Sequence, residues 1–177
     1  MKKTILLING KARSGKDTLA RMLKDHIKDK HVNILPNAQS VKMYATDYFN
    51  WNGEKDDRGR QLLLDITNAG YNYDPYFWEK KTHNIMRVCK DFIVIPDWRY
   101  YSTYKYFREK GFEVITVKII NPNREITNNA KLQADISENG LDDFCFDYEI
   151  INDGSLTHLE YMAKDLAYSL LEEVKCS

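Results

Sequence analysis

The sequence predicts an α/β fold of three layers, a five-stranded parallel sheet flanked by helices and carrying a small lid. Three observations support this. Short apolar runs alternate with longer stretches of helical periodicity along all 177 residues, the pattern of strand–helix–strand units. The first run, Thr4-Ile5-Leu6-Leu7-Ile8-Asn9, is apolar on successive positions, as a strand covered on both faces requires. It leads directly into Gly10-Lys11-Ala12-Arg13-Ser14-Gly15-Lys16-Asp17-Thr18, a glycine-framed loop that opens a helix.

After that loop, Leu19, Met22, Leu23 and Ile27 recur at helical spacing. Val32 to Leu35 reads as a second strand, stopped at Pro36, and Ala38 to Phe49 as a helix through Val41, Tyr44, Ala45 and Tyr48. Asn50 to Arg58 is polar, with Asn52-Gly53 as a turn signal. Gly59 to Ala69 is predicted helical and ended by Gly70, and Pro75 suits the first turn of a helix reaching about Cys89. Phe92-Ile93-Val94-Ile95 is the next strand, and Tyr101 to Lys110 a crossover helix ended by Gly111. Glu113 to Ile120 alternates as a strand, Asn121 to Asp143 is polar and weakly patterned, and Tyr148 to Ile151 forms a last strand. Ser155 caps a final helix whose residues Leu156, Leu159, Met162, Ala163, Leu166, Leu170 and Leu171 keep a 3.6-residue period.

The glycine-framed loop has the chemistry of a P-loop phosphate cradle. Gly10 and Gly15 let the backbone curl so that successive N–H groups face one anion. The helix beginning near Lys16 adds the positive end of its dipole, and Lys16 adds a mobile charge for the outer phosphates. Gly10, Lys11, Ala12, Arg13, Ser14, Gly15, Lys16, Asp17 and Thr18 are therefore the expected nucleotide-binding residues. Asp17 stands where Ser or Thr normally binds Mg²⁺. It either attracts the cation itself or serves as an ordinary acid at a helix N-terminus.

Composition narrows the remaining classes. Apolar residues make up 43% and charged residues 29% of the chain, a globular composition. With 26 basic and 26 acidic residues the formal net charge is zero, which argues against a duplex nucleic-acid partner. Cys89, Cys145 and Cys176 have neither metal spacing nor an even count, which predicts reduced thiols. The opening Met1-Lys2-Lys3 and its short apolar run imitate a signal peptide but end in the phosphate loop, and no stretch is long enough to span a membrane. The expected location is cytoplasmic, with no membrane partner.

In a parallel sheet, ligands sit beyond the carboxyl ends of the strands. Asp97 comes just after the strand Phe92–Ile95, so it is expected at that edge, where an acid holds Mg²⁺ through water. Arg99 either pairs with Asp97 or clamps an acceptor phosphate through two parallel hydrogen bonds. Arg124 and Lys131 lie in the polar stretch before the last strand. There they are either cations of a closing lid or ordinary solvated residues. Arg13 can reach either phosphate group. Tyr71, Tyr73, Tyr76, Phe77 and Trp78 cluster around Asp74-Pro75, offering rings on which a base could stack, although helix packing explains most of them. The four histidines are scattered and none is assigned to catalysis.

With these segments in view, the chain resembles the bacteriophage-type deoxynucleoside monophosphate kinases, a branch of the P-loop nucleoside monophosphate kinase fold. The loop Ser14-Gly15-Lys16-Asp17-Thr18, aspartate included, is similar to the family's variant. So are Asp74-Pro75-Tyr76-Phe77-Trp78, Asp97-Trp98-Arg99, Asp135-Ile136-Ser137-Glu138-Asn139-Gly140-Leu141, Phe146-Asp147-Tyr148 and Asn152-Asp153-Gly154-Ser155-Leu156. The resemblance implies transfer of the γ-phosphoryl group of ATP, with Mg²⁺, to a deoxynucleoside monophosphate, by a monomer or homodimer in the host-cell cytoplasm. It implies one domain over 1–177, with an acceptor-binding insertion at about 38–90 and a lid at about 121–143. Lys16, Arg13, Arg99 and Arg124 would act in catalysis, and Asp17 and Asp97 would serve the metal. Lys42, Arg60, Trp78, Asp97, Trp98, Arg99 and Lys131 would surround the acceptor.

Two departures stand out. Gly59-Arg60-Gln61-Leu62-Leu63 has Gln61 where the family has an acid, and Leu64 where it has glutamine. Trp98 replaces a small apolar residue. The same phosphate loop also fits another small-molecule kinase, such as a phosphomevalonate kinase, or a catalytically silent nucleotide-binding regulator.

Overall fold

The structure, a computed structural model, describes residues 3–28, 30–123 and 140–176. Among them five strands form one sheet: β1 (Thr4–Asn9), β2 (Val32–Ile34), β3 (Phe92–Ile95), β4 (Glu113–Ile120) and β5 (Tyr148–Ile151). All pairings are parallel, in the order β2-β3-β1-β4-β5. The helices are α1 (Lys16–His26), α2 (Ala38–Phe49), α3 (Asp57–Tyr73), α4 (Phe77–Met86), α5 (Tyr101–Glu109) and α6 (Leu156–Cys176). Arg124, Lys131 and most of the expected lid lie outside the described residues.

The central strand explains the layering. Ile5, Leu6, Leu7 and Ile8 are all fully buried, and successive side chains point to opposite faces. Leu6 and Ile8 face one core with Leu19 and Leu23 of α1 and Leu159, Ala163, Leu166 and Leu170 of α6. Ile5 and Leu7 face the other, with Met86 of α4, Phe107 of α5 and Trp98. β1 lies between β3 and β4, with Leu7 opposite Ile95 and Asn9 opposite Lys118. The carboxyl ends of β1 and β3 are thereby adjacent.

Several expected boundaries shift, each for a local reason. β2 ends at Ile34, although the Leu35 N–H still donates to the Val94 carbonyl at 2.8 Å. α3 begins before Gly59, because the Asp56 carboxylate accepts from the Gly59 N–H at 2.7 Å and caps the helix. Gly70 does not end α3, which runs on to Tyr73. Its missing side chain instead admits the Trp78 indole: a Cβ there would lie 2.5 Å from Trp78 Nε1. α4 is shorter than the span from Pro75 to Cys89, since the chain turns at Asp74, whose side chain accepts from the Tyr76 N–H at 2.9 Å. At its far end Lys3 Nζ donates to the Met86 carbonyl at 2.8 Å. α5 stops at Glu109, one residue early, ahead of Gly111 with φ of +80°. α6 starts as expected, the Ser155 hydroxyl accepting from the His158 N–H at 3.2 Å.

Replacing Gly70→Ala drives a methyl into the Trp78 ring and should cost about 1–3 kcal/mol, the usual penalty for overpacking, read as a lower urea midpoint. His83 supplies a pH dependence. Burial and the charges of Lys110, Arg87 and Lys3 hold its pKa below the ordinary value of 6.5. The folded protein therefore keeps it neutral while the unfolded chain binds a proton. That contribution is fully present above 6.5 and is lost as pH falls toward and through the folded value. His83→Phe, in a pocket shared with Tyr106, Phe107 and Phe112, should flatten the acid limb of a thermal-melt pH series.

Candidate active site

The loop between β1 and α1 closes on itself. Arg13 and Gly15 both adopt left-handed backbone, with φ of 62° and 101°, and the Ser14 N–H donates to the Lys11 carbonyl at 3.2 Å. A Cβ on Gly10 would sit 2.5 Å from both the Ile119 carbonyl oxygen and Ser14 Oγ, so only glycine fits there. One on Gly15 would meet Asn152 Nδ2 at 2.7 Å. That amide instead donates to the Ser14 carbonyl at 2.9 Å, holding the loop from the end of β5. Lys16 Nζ folds back onto the Gly10 and Lys11 carbonyls at 2.5 and 2.7 Å.

Ser14 is 1% exposed, and its hydroxyl oxygen has no hydrogen-bond partner among the described residues. Leaving such a group buried and unpaired costs about 1–3 kcal/mol. The orphaned hydroxyl, the glycine-lined bend, the N-terminus of α1 and the Lys16 ammonium together fit a polyphosphate.

The segment after β3 is tied to the end of β1, just before this loop. Trp98 N–H donates to the Ile8 carbonyl at 3.2 Å, and Asn9 Nδ2 donates to the Trp98 carbonyl at 2.8 Å. Asp97, the preceding residue, has both carboxylate oxygens engaged: Oδ1 accepts from the Asn37 N–H and Oδ2 from the Ala38 N–H, each at 2.8 Å. It therefore caps α2, whose own N-terminal residue Asn37 makes no side-chain cap. Burial pushes the Asp97 carboxyl above the usual carboxylate range, against the pull of those two amides and of the Arg99 and Lys42 charges. Asp97, Arg99 and Lys42 thus form one electrostatic group. Beside it, along α2, lies a cleft of about 350 Å³ lined by Pro36, Gln39, Lys42, Met43, Thr46 and Asp47.

Of the expected site residues, Arg124 and Lys131 lie outside the described ones, and two others, Trp78 and Trp98, are buried. Gly10 to Thr18, Lys42, Asp97 and Arg99 gather at the carboxyl edge of the sheet. Asp17 is exposed on the second residue of α1, Thr18 is half-buried, and Ala12 and Arg13 are exposed. Lys11 pairs with Asp142 at 3.5 Å across exposed surface. Arg60 is half-buried in the first turn of α3. The two corrections are tryptophans. Trp98 is fully buried, its ring packed on Tyr104, Phe144 and Phe146 and its N–H given to the Tyr100 carbonyl at 2.8 Å, so it presents no face to an acceptor. Trp78 is 3% exposed, edge-on to Tyr44 and Phe77, and donates to the Thr67 carbonyl at 2.9 Å. It cements three helices and offers no face for stacking on a base.

No group of three or more His, Cys, Asp or Glu that could hold a metal occurs among the described residues. A Mg²⁺ here would rely on phosphate oxygens and water, its usual habit, with one or two carboxylates. Asp17 is exposed, and each Asp97 oxygen keeps a second lone pair that a bridging water can use. Sequence reasoning missed Asn9 and Asn152. Each is the polar residue that ends or succeeds an apolar strand, a signal legible in the sequence once the sheet edge is taken as the site. Asn37 gave no such signal.

No family model matches the sequence, and no curated protein matches it. Solved structures do match in three dimensions. Shikimate kinase from Aquifex aeolicus superposes with a TM-score of 0.51 at 13% identity, over 98% of this chain and 99% of that one. The Mycobacterium tuberculosis APS kinase in complex with AMPPNP and APS gives 0.49 at 12%, over 98% of both chains. Shikimate kinase from Acinetobacter baumannii in complex with shikimate gives 0.47 at 16%, over 99% and 94%. At these identities the likeness is one of architecture: the parallel sheet with its flanking helices is the three-layer fold of small-molecule P-loop kinases.

Proposed function

We propose that this chain is an ATP-dependent kinase whose acceptor is a deoxynucleoside monophosphate, yielding the diphosphate and ADP. The observation that carries the kinase reading is the pair of hydrogen bonds joining Trp98 to the end of β1, its N–H donating to the Ile8 carbonyl and its carbonyl accepting from Asn9 Nδ2. They put a polyphosphate cradle and the Asp97–Arg99–Lys42 group side by side, as donor and acceptor sites must be. The nucleotide acceptor is supported by the family-like segments around Asp74–Trp78 and Asp97–Arg99. A cleft combining apolar Met43 with hydrogen-bonding Gln39 and Thr46 also suits the face and edge of a base.

In this reading an acceptor phosphate oxygen attacks the γ-phosphorus of ATP while the bond to the β-bridging oxygen breaks, and ADP leaves. Phosphoryl transfer asks of the protein mainly positioning and charge stabilisation. The loop amides and α1 hold the donor, and Lys16 turns from its own backbone carbonyls to the outer phosphates. Arg99 and Lys42 hold the acceptor phosphate, and Arg13 adds charge at the donor edge. When bound with ATP, Mg²⁺ offsets phosphate charge, with Asp17 and Asp97 as the carboxylates that would hold it. Residues 38–90 serve as the acceptor-binding region and 121–143, with Arg124 and Lys131, as the lid.

Purified protein with Mg-ATP should convert at least one deoxynucleoside monophosphate to its diphosphate in a coupled ADP-release assay. Turnover of only a non-nucleotide phosphate acceptor would move the chain to another small-molecule kinase class. ATP binding without any turnover would make it a silent nucleotide binder. Lys16→Met should lower kcat by about 10²–10³-fold, the loss expected when one preorganised donor to the transferring group is removed. Arg99→Lys keeps the charge but breaks the two-pronged geometry. It should cost about ten- to a hundredfold in kcat/KM for the acceptor, equivalent to one charge-assisted hydrogen bond, with little change in the KM for ATP.

A further inference from the structure

We propose that Glu79 is the positioning residue that keeps Arg99 in register with the phosphate loop, by fastening the first turn of α5 to the acceptor-side helices α3 and α4. The inference rests on the kinase reading above for its kinetic consequences, but its physical content is independent of it. Glu79 lies in the first turn of α4 and is fully buried. Its Oε1 accepts three hydroxyl hydrogen bonds: from Tyr71 of α3 at 2.9 Å, from Ser102 at 3.1 Å and from Thr103 at 2.8 Å, the last two at the start of α5. Its Oε2 is buried with no hydrogen-bond partner among the described residues. One oxygen is thus a common stud for three helices while the other is left bare, an arrangement that packing alone does not call for.

Arg99 sits between two fixed points. On its amino side Trp98 is tied to Ile8 and Asn9. On its carboxyl side the Tyr100 carbonyl accepts from the Trp98 indole at 2.8 Å and from the Thr103 N–H at 3.1 Å, and Ser102 and Thr103 hang on Glu79. Burial, and after it the Glu79 charge, raises the Tyr71 pKa so far that its phenol remains a donor throughout the working range. Its ring also lies 4.7 Å from that of Tyr100. The same helix α4 reaches the other side of the site through Thr82 Oγ1, which donates to Asn37 Oδ1 at 2.8 Å beside the Asp97 cap. Glu79 therefore closes a ring of contacts from α4 through α2, Asp97, Arg99 and α5 back to α4. Loosening the Glu79 link frees the Arg99 segment on one side only, leaving its tether to the end of β1 intact.

The test uses the full chain with Glu79→Ala, Glu79→Gln and the double variant Ser102→Ala/Thr103→Val, which cuts the two bonds to α5 and leaves the carboxylate and its Tyr71 donor in place. Steady-state kinetics with ATP and the preferred deoxynucleoside monophosphate should show kcat/KM for the acceptor falling about ten- to a hundredfold, as misplacement of a clamp entails, with the KM for ATP unmoved. Glu79→Gln, which keeps an accepting oxygen, should recover most of the loss. Hydrogen exchange should quicken at residues 99–103 and stay unchanged at residues 10–18. Equal losses toward ATP and acceptor, or unchanged acceptor kinetics in the double variant, overturn the proposal. Should the wild type phosphorylate no nucleotide, the kinase reading fails and the exchange measurement decides alone. Faster exchange confined to residues 99–103 supports the anchor, and unchanged or global exchange removes it.

Discussion

The active end of this protein depends on a main-chain contact between neighbouring strands: the Trp98 N–H on the Ile8 carbonyl, reinforced by the Asn9 side chain on the Trp98 carbonyl. Because β1 and β3 are parallel neighbours, their carboxyl ends emerge together, and the segments leaving them must share one space. β1 runs into the glycine-framed loop, and β3 into an acid, a buried indole and an arginine. The indole explains why the junction is rigid. With the Trp98 ring sealed among Tyr104, Phe144 and Phe146, the residues on either side of it have little freedom to drift, and Asp97 and Arg99 inherit that order.

Buried polar groups in this region are divided between scaffold and ligand duties. Asp97 spends both oxygens on the amino end of α2, which fixes the helix that carries Lys42 and lines the cleft. Asp147 does comparable work lower in the sheet, its Oδ2 accepting from both the backbone and the hydroxyl of Thr116. Ser14, by contrast, holds a buried hydroxyl with no partner among the described residues. In a glycine-framed bend, such a hydroxyl is open to a ligand oxygen as its partner. Lys16 donates to two carbonyls of its own loop, short charge-assisted contacts.

The aromatic richness of the chain, 12 tyrosines and 3 tryptophans among them, goes mainly into joining helices. Trp78 fills the notch left by Gly70 and bonds to Thr67, and Trp98 plugs the far core.

The sequence alone determined the class of fold, the strands from Thr4, Phe92, Glu113 and Tyr148, and the glycine-framed turn from β1 into α1, because each of these is a local matter: hydrophobic period, β-branched content and glycine spacing act over a few residues. It placed Asp97 and Arg99 at the sheet edge for the same reason. It missed the true ends of α3 and α4, because Gly70 ends a helix only when nothing packs against it, and Trp78 does. It misjudged the two tryptophans because exposure depends on partners distant in the chain. The strand order, the capping of α2 by Asp97 from 60 positions away and the convergence of Tyr71, Ser102 and Thr103 on Glu79 were decided only in three dimensions. Such contacts are written in no local pattern, since each is a hydrogen bond whose two ends are brought together by the packing of the whole sheet.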